Sequence, residues 1–314
     1  MKKFLLKRVV SLIPILFIVS VVIFYCIHLT PGDPARTMLG EEASEEQIQQ
    51  LRQEMNLDKP IIVQYGYWIK NIIHGDLGNS VFMGKPVTTV IAEHIKPTIV
   101  VATVAQIIAI LIAIPLGIIA ARKKGQFADS LVTAFSLLGI SIPSFLLGLL
   151  LVLLFAVQLR MLPVAGYKTL ASGVWTYFKY LILPCLSLGL MQAALITRMT
   201  RSSMLEVMNS DYIKMARAKG VKERAVIYKH CLKNALIPII TIVGQSYVTL
   251  LAGATVIEAI FNIPGVGQLV VNSIARRDYE VIQGSVLVIT VMNVIVNLIV
   301  DILYGIVDPR VRME

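Results

Sequence analysis

Residues 198–233 read RMTRSSMLEVMNSDYIKMARAKGVKERAVIYKHCLK. They sit between two apolar runs, LILPCLSLGLMQAALIT (181–197) and NALIPIITIVGQSYVTLLAGATVI (234–257). Nine Lys and Arg fall within the segment, against three acids. It is too polar to cross a bilayer and too short to be a catalytic domain. Its flanks have the apolarity and length of membrane spans. A basic loop held between two spans reads as a cytoplasmic handle by which something else moves them.

Composition supports that reading. The 314 residues are 56% hydrophobic and only 15% charged, with mean hydropathy +0.76. A soluble domain carries roughly 25% charge and could not cover so many apolar faces. The formal charge of +10 would point to nucleic acid in a soluble chain; here its placement points to the membrane instead, and no nucleic acid is expected. Cys26, Cys185 and Cys231 make neither a disulfide framework nor a CxxC knuckle. The four histidines are isolated, so no metal site and no cofactor is expected. The start, MKKFLLKRVVSLIPILFIVSVVIF, has a basic head and a long apolar run without a small-x-small cleavage site. It reads as a retained first span rather than a signal peptide.

Apolar runs long enough to cross about 30 Å of hydrocarbon lie near 9–29, 98–121, 131–157, 181–197, 236–257 and 283–307. Each must satisfy its own backbone, so each is expected to be a helix, with Pro115 and Pro143 kinking or loosening the second and third. An even number of spans puts both termini on one side. With the N-terminus inside, 18 of the 29 basic residues and 7 of the 19 acids are interior, a net +11 against −1 outside. The positive-inside rule favours this orientation, and the tight Arg122-Lys123-Lys124 turn speaks for it most strongly. The chain then divides into a cytoplasmic tail and first span (1–30), an extracytoplasmic loop (31–97) and a five-span core (98–314) that includes the cytoplasmic loop 198–235.

The 31–97 loop has structure of its own. Ser44 and Gln47 fit a capping box, with Ile48, Leu51 and Met55 at helical spacing behind them. Ile61, Tyr65, Trp68, Ile69 and Ile72 form a second amphipathic piece whose aromatics suit the headgroup level. Gly75, Gly78 and Gly84 break the chain, and Pro86–His94 makes a short returning helix. A cap over an outer pore mouth and a plain connector both fit this loop.

In the basic segment, Ser210-Asp211 caps a helix running from Tyr212 towards Lys219, and Gly220 takes the positive φ of a C′ position. A second helix follows over Lys222–Leu236, beside the bilayer. Ala216, Ala218 and the Gly turn give a small, closely packable surface suited to a partner's groove. Attraction of the basic side chains to anionic lipid explains the charge but not the small residues.

This loop, DYIKMARAKG…HCLKNALIP, resembles the coupling loop of the membrane subunits of ABC importers, most closely the dipeptide, oligopeptide and nickel permeases. The likeness extends along the whole chain: LKRVVSLIPILFIVSVVIF, HLTPGDPA, NLDKP, HGDLGNS, RMTRSSMLEV, AGATVIEAIFNIPGVGQL, RRDYEVIQG and NLIVDILYGIVDPRVR. The general importer pattern places EAA at Lys214, Met215 and Ala216; only Ala216 and Gly220 match it, and Pro238 lies farther along than usual. Both departures are typical of the peptide and nickel branch. The resemblance implies an all-α polytopic fold with six transmembrane helices and a cytoplasmic coupling helix, in a bacterial inner membrane. It implies docking to the ATPase through Tyr212, Met215, Ala216, Arg217, Ala218, Lys219 and Gly220. The partners it implies are a second homologous permease, two cytoplasmic ATPase subunits and an extracytoplasmic solute-binding protein. Dipeptides or short oligopeptides are the expected cargo, with glutathione and nickel or a chelated metal as alternatives.

The chain carries no phosphate cradle for ATP. Gly84-Lys85 is followed by Pro86 where Ser or Thr is needed, and Asn79 stands at the first Gly position. No covalent chemistry is expected here. An ion-driven carrier, the competing class, needs buried ionisable groups and usually an internal repeat; the first three spans carry almost no charge. His28 and His94 flank the outer ends of spans one and two, and Asp301 lies near the inner end of the last. Glu258, before the Pro264-Gly265 turn, stands at the outer mouth. It either contacts the solute or fixes the hairpin there.

Overall fold

The computed structural model describes residues 2–28, 34–39, 43–54 and 56–307. Met55, Asp308, Arg310 and Arg312, and the side chains of Lys2, Lys3, Lys7, Arg8, His28 and Leu51, lie outside that description. Twelve helices are named in chain order. The first four are α1 (Lys2–His28), α2 (Pro34–Leu39), α3 (Glu45–Glu54) and α4 (Ile61–Ile73). Then come α5 (Val87–Arg122), α6 (Phe127–Ser141), α7 (Ser144–Gln158) and α8 (Val174–Met208). The last are α9 (Asp211–Ala218), α10 (Glu223–Ile260), α11 (Val266–Arg276) and α12 (Tyr279–Val307).

Among the described residues, α5, α8, α10 and α12 are long and apolar enough to cross a membrane, and α6 with α7 makes a fifth if the pair is one span. The described apolar stretch of α1, Leu12–Cys26, is shorter than a full crossing. Among the described residues, length and composition therefore give an all-α polytopic fold with four to five apolar spans.

The centre of the molecule is α8 against α5. Along α5, Ala105, Ala109, Ala113 and Gly117 recur every fourth residue, and the three alanines are fully buried. Such a stripe lets two helix backbones approach closely where lipid offers no hydrophobic drive between them. Gly189 and Ala193 face it from α8: a Cβ on Gly189 would strike the Ala105 carbonyl, and one on Gly117 would strike Thr200.

Several boundaries differ from the sequence reading. The expected short helix at 86–94 is the first part of α5, which continues without a break through Pro97 and Pro115. Hydropathy marks where hydrocarbon begins, and helix can extend beyond it. Pro143 does more than kink its run: α6 and α7 meet at 102°. Ile142 before it is extended, at φ −91 and ψ 119, because the proline ring disfavours the helical region for its predecessor. The fourth run, short in hydropathy, is a 35-residue helix. The second loop helix is not separate from span five. Glu223 to Ile260 is one helix that absorbs a π-turn at Val226–Cys231.

The 31–97 loop folds largely as its residues dictate. The capping box is present: the Gln47 amide N–H donates to Ser44 Oγ (3.3 Å), and the Ser44 N–H to Gln47 Oε1 (3.0 Å). Gly75, Gly78 and Gly84 all have positive φ. Two distant motifs then meet. Ser80 Oγ donates to the buried Asp278 carboxylate (2.6 Å), the Asn79 N–H donates to Glu280, and Arg276 lies over the Phe82 ring. The HGDLGNS loop is thereby tied to the elbow between α11 and α12.

Candidate functional site

Two places carry the features expected to matter, one at each end of α10. At the first, α9 is an eight-residue helix standing between α8 and α10. Ser210 holds the N-cap position, but its hydroxyl donates to the Val207 carbonyl (2.7 Å) rather than capping α9. The other end closes as the sequence requires. Gly220 has φ +75. The Gly220 N–H donates to the Arg217 carbonyl (2.9 Å) and the Val221 N–H to the Ala216 carbonyl (3.3 Å). That pair of bonds is a Schellman motif, and it needs a left-handed residue at the position of Gly220.

Ile213 and Ala216, one turn apart, form the base of α9. Both are buried, and Ile213 joins the apolar cluster of Ile118, Met204, Val226 and Ile227 on the neighbouring helices. Ala216 therefore faces inward and belongs to the seat of α9 rather than to its outer surface. Tyr212 (51% exposed) and Met215 (60%) project outward, as do Arg217, Ala218, Lys219 and Gly220. Tyr212 does not stand free: its hydroxyl is 2.6 Å from His230 Nδ1. Arg217 reaches Glu223 with two bonds, of 2.8 and 3.2 Å. The facing carboxylate holds its guanidinium above the usual arginine value. These contacts join α9 to the start of α10. Beyond α9, Arg201 and the buried Asp129 form a two-bond pair that joins α8 to the start of α6.

The second place is the hairpin after α10. The helix ends in its own Schellman motif, with Asn262 left-handed at φ 48 and the Ile263 N–H donating to the Glu258 carbonyl (2.8 Å). The side chain of Glu258 is fully buried. It accepts the Thr98 hydroxyl (2.6 Å) and the Gln268 N–H (3.1 Å), while Thr98 Oγ accepts the Val266 N–H (2.9 Å). Val266 and Gln268 are the first and third residues of α11, whose early N–H groups have no partner within the helix. Glu258 and Thr98 together cap α11 and pin it to α5. A Cβ on Gly265 would overlap the Glu258 carboxylate, and one on Gly267 would overlap Thr255. The glycines of IPGVG are thus set by this close approach, while Pro264 is exposed.

The two expected places lie far apart, joined by the length of α10. Thr98 was not singled out by its sequence, and nothing in a lone Thr after Pro97 marks it. His74 and His94 each place Nδ1 2.7 Å from a carbonyl one turn back, as interfacial histidines commonly do. Asp301 lines a cavity of about 430 Å³ with Thr241, Gln245, Thr290, Asn293 and Asn297.

Comparison with known proteins places this architecture. Residues 113–313 match the family described as binding-protein-dependent transport system inner membrane component, and residues 1–102 match its N-terminal companion family. The chain is 39% identical to the probable peptide ABC transporter permease protein y4tP of Sinorhizobium fredii, over 98% of this chain and 99% of that protein. It is 43% identical to a putative peptide transport system permease protein of Brucella abortus, over the full length of both. It is 40% identical to the glutathione transport system permease protein GsiC of Escherichia coli K12, again over both full lengths. A structure of the MetNI methionine ABC transporter, facing inward, shares the fold at 17% identity and TM-score 0.57, covering 70% of this chain and 97% of that one. The protein is a non-catalytic membrane permease subunit: it belongs to the family of binding-protein-dependent transport system inner membrane components.

Proposed function

We propose that the chain forms, with a second homologous permease, the pathway of an importer for dipeptides or short oligopeptides delivered by an extracytoplasmic binding protein. The bacterial inner membrane is its site, with both termini and residues 198–235 in the cytoplasm. On this reading α1 completes six crossings, and two cytoplasmic ATPase subunits supply the energy. The outward face of α9, with Tyr212, Met215, Arg217, Ala218, Lys219 and Gly220, docks on an ATPase, and Ala216 holds that face in place. The observation that carries the reading is the seating of α9: a short helix buried on one side, exposing Tyr212, Met215 and basic side chains on the other, and fastened to a helix that runs to the opposite end of the molecule. The peptide permeases among the relatives support the cargo.

The experiment is uptake of a labelled dipeptide by cells with and without the gene, with its partner subunits intact. Uptake that depends on the chain and is competed by unlabelled dipeptide is expected. Uptake of glutathione or nickel alone would replace the cargo, and failure of an ATPase to copurify would overturn the assembly.

A further inference from the structure

Helix α4 has three faces. At 3.6 residues per turn, Ile61, Tyr65, Trp68 and Ile72 share one arc, and this arc meets α1. The Tyr65 hydroxyl is 2.8 Å from Ser20 Oγ. Its ring lies 6.5 Å from Phe17 and 5.4 Å from Phe24, and Trp68 is 5.4 Å from Phe24. A second arc carries Gln64, Tyr67, Lys70 and Asn71, with Val63 the one aliphatic among them. Gln64 donates to the carbonyls of Leu57 and Lys59, and the Lys59 ammonium sits 4.7 Å above the Tyr67 ring. The third arc holds only Ile62, Gly66, Ile69 and Ile73. Ile62 is 73% exposed and Ile73 is 76% exposed.

The depth of the contact on α1 decides what covers that third arc. Phe17, Ser20 and Phe24 all fall inside the apolar stretch Leu12–Cys26. At 1.5 Å per residue, they lie roughly 3–13 Å below its outer end. The same stretch leaves Ile18 and Val22 exposed on the side of α1 turned away from α4, so α1 itself presents aliphatic side chains at that depth. The arc has no aromatic or arginine anchor of the kind that marks a protein interface. Lys70 and Tyr67 stand on the neighbouring arc, as side chains at a headgroup boundary do.

We propose that α4 is an interfacial helix embedded in the outer leaflet, with Ile62, Ile69 and Ile73 against lipid acyl chains and the Gln64–Asn71 arc turned to headgroups. The exterior loop is then anchored in the bilayer at its middle, not suspended above it. The inference rests on α1 crossing the membrane, and the test separates the two. A photoreactive phenylalanine analogue is introduced singly at Ile62, Ile73, Lys70 and, on α1, Ile18. Each variant is expressed with its complete transporter in cells fed radiolabelled fatty acid, and only variants assembling at the parent level are irradiated. Lipid label is expected on the probes at 18, 62 and 73, at several-fold the level found at 70. Label at 18 but not at 62 and 73, or a protein adduct in place of lipid at 73, overturns the placement of α4 alone. Absence of lipid label at 18 overturns the crossing of α1 as well.

Discussion

Replacing Glu258 with Ala takes an acceptor from the Gln268 N–H and from the Thr98 hydroxyl, both inside the protein. Hydrogen bonds to a charged group contribute about 1.5–3 kcal/mol each. Against that, the variant no longer buries a carboxylate, so a net loss of about 2–4 kcal/mol is expected. Glu258→Gln keeps the shape and one carbonyl oxygen. It can still accept from the Gln268 amide, but its new NH₂ meets Thr98 where an acceptor stood, and about 1–2 kcal/mol should be lost. Thr98→Val leaves the Val266 N–H unpaired at a cost of about 1–3 kcal/mol. Because the two residues share one network, the Glu258→Ala/Thr98→Val double variant should fall short of the summed losses by about 0.5–3 kcal/mol. The assay is the heat resistance of the purified complex, read as the fraction still assembled after stepwise warming, together with dipeptide uptake at matched complex levels. Glu258→Ala should lower the apparent Tm by roughly 5–10 °C and lose uptake in proportion to assembly. An unshifted Tm, or strict additivity in the double variant, would refute the cap. Uptake lost at full assembly and unchanged Tm would instead place Glu258 on the solute path.

Three further outcomes follow from other contacts. Gly220→Val should cost about 1–2 kcal/mol through the left-handed backbone alone, and reduce ATPase copurification, whereas Gly220→Asn should be close to neutral because Asn tolerates that region; equal behaviour of the two would count against the Schellman turn. Arg201→Lys should lose one of the two parallel bonds to Asp129 and destabilise the junction of α8 with α6 measurably, while Asp129→Ala should do so more strongly; protease sensitivity of the 122–126 turn reads both. Cysteines introduced singly at Ser44 and Lys123 should react with an impermeant thiol reagent in intact cells at 44 and not at 123, and the reverse pattern would invert the topology.

Much of this was legible where chemistry is local. The Ser44/Gln47 box, the stop at Gly220 and the turn after Glu258 each depend on residues within a few positions of one another, and all three are present. Helix lengths were less legible. Hydropathy marks a run beginning at residue 98, yet α5 starts at Val87, because Thr88, Glu93 and His94 are polar without being helix breakers. Likewise Lys222–Leu236 reads as a separate amphipathic helix, though nothing in it stops the chain. The inward placement of Ala216 was missed because a small residue fits a partner's groove and a packed seat equally well. Contacts between distant segments left no mark in sequence. Thr98 and Glu258 stand 160 residues apart and Ser80 and Asp278 198 apart. The residues that cap, clamp and cross-brace the Glu258 end are ordinary Thr, Ser and Asn until the helices bring them together.

Helix α10 has a consequence that is a matter of leverage. It runs 38 residues, through the π-turn at Val226–Cys231 and past Pro238, about 57 Å at the standard rise. Its first turn is bound to α9 through Arg217 and Glu223, and its last turn carries Glu258. A rod of that length converts a tilt of about 5° at one end into about 5 Å of travel at the other. The hydrogen bonds that hold α11 to α5 and to the end of α10 span only about 3 Å, so such a swing exceeds their reach. The cap at the Glu258 end and the foot at the α9 end therefore cannot be set independently: a large movement of one strains the other.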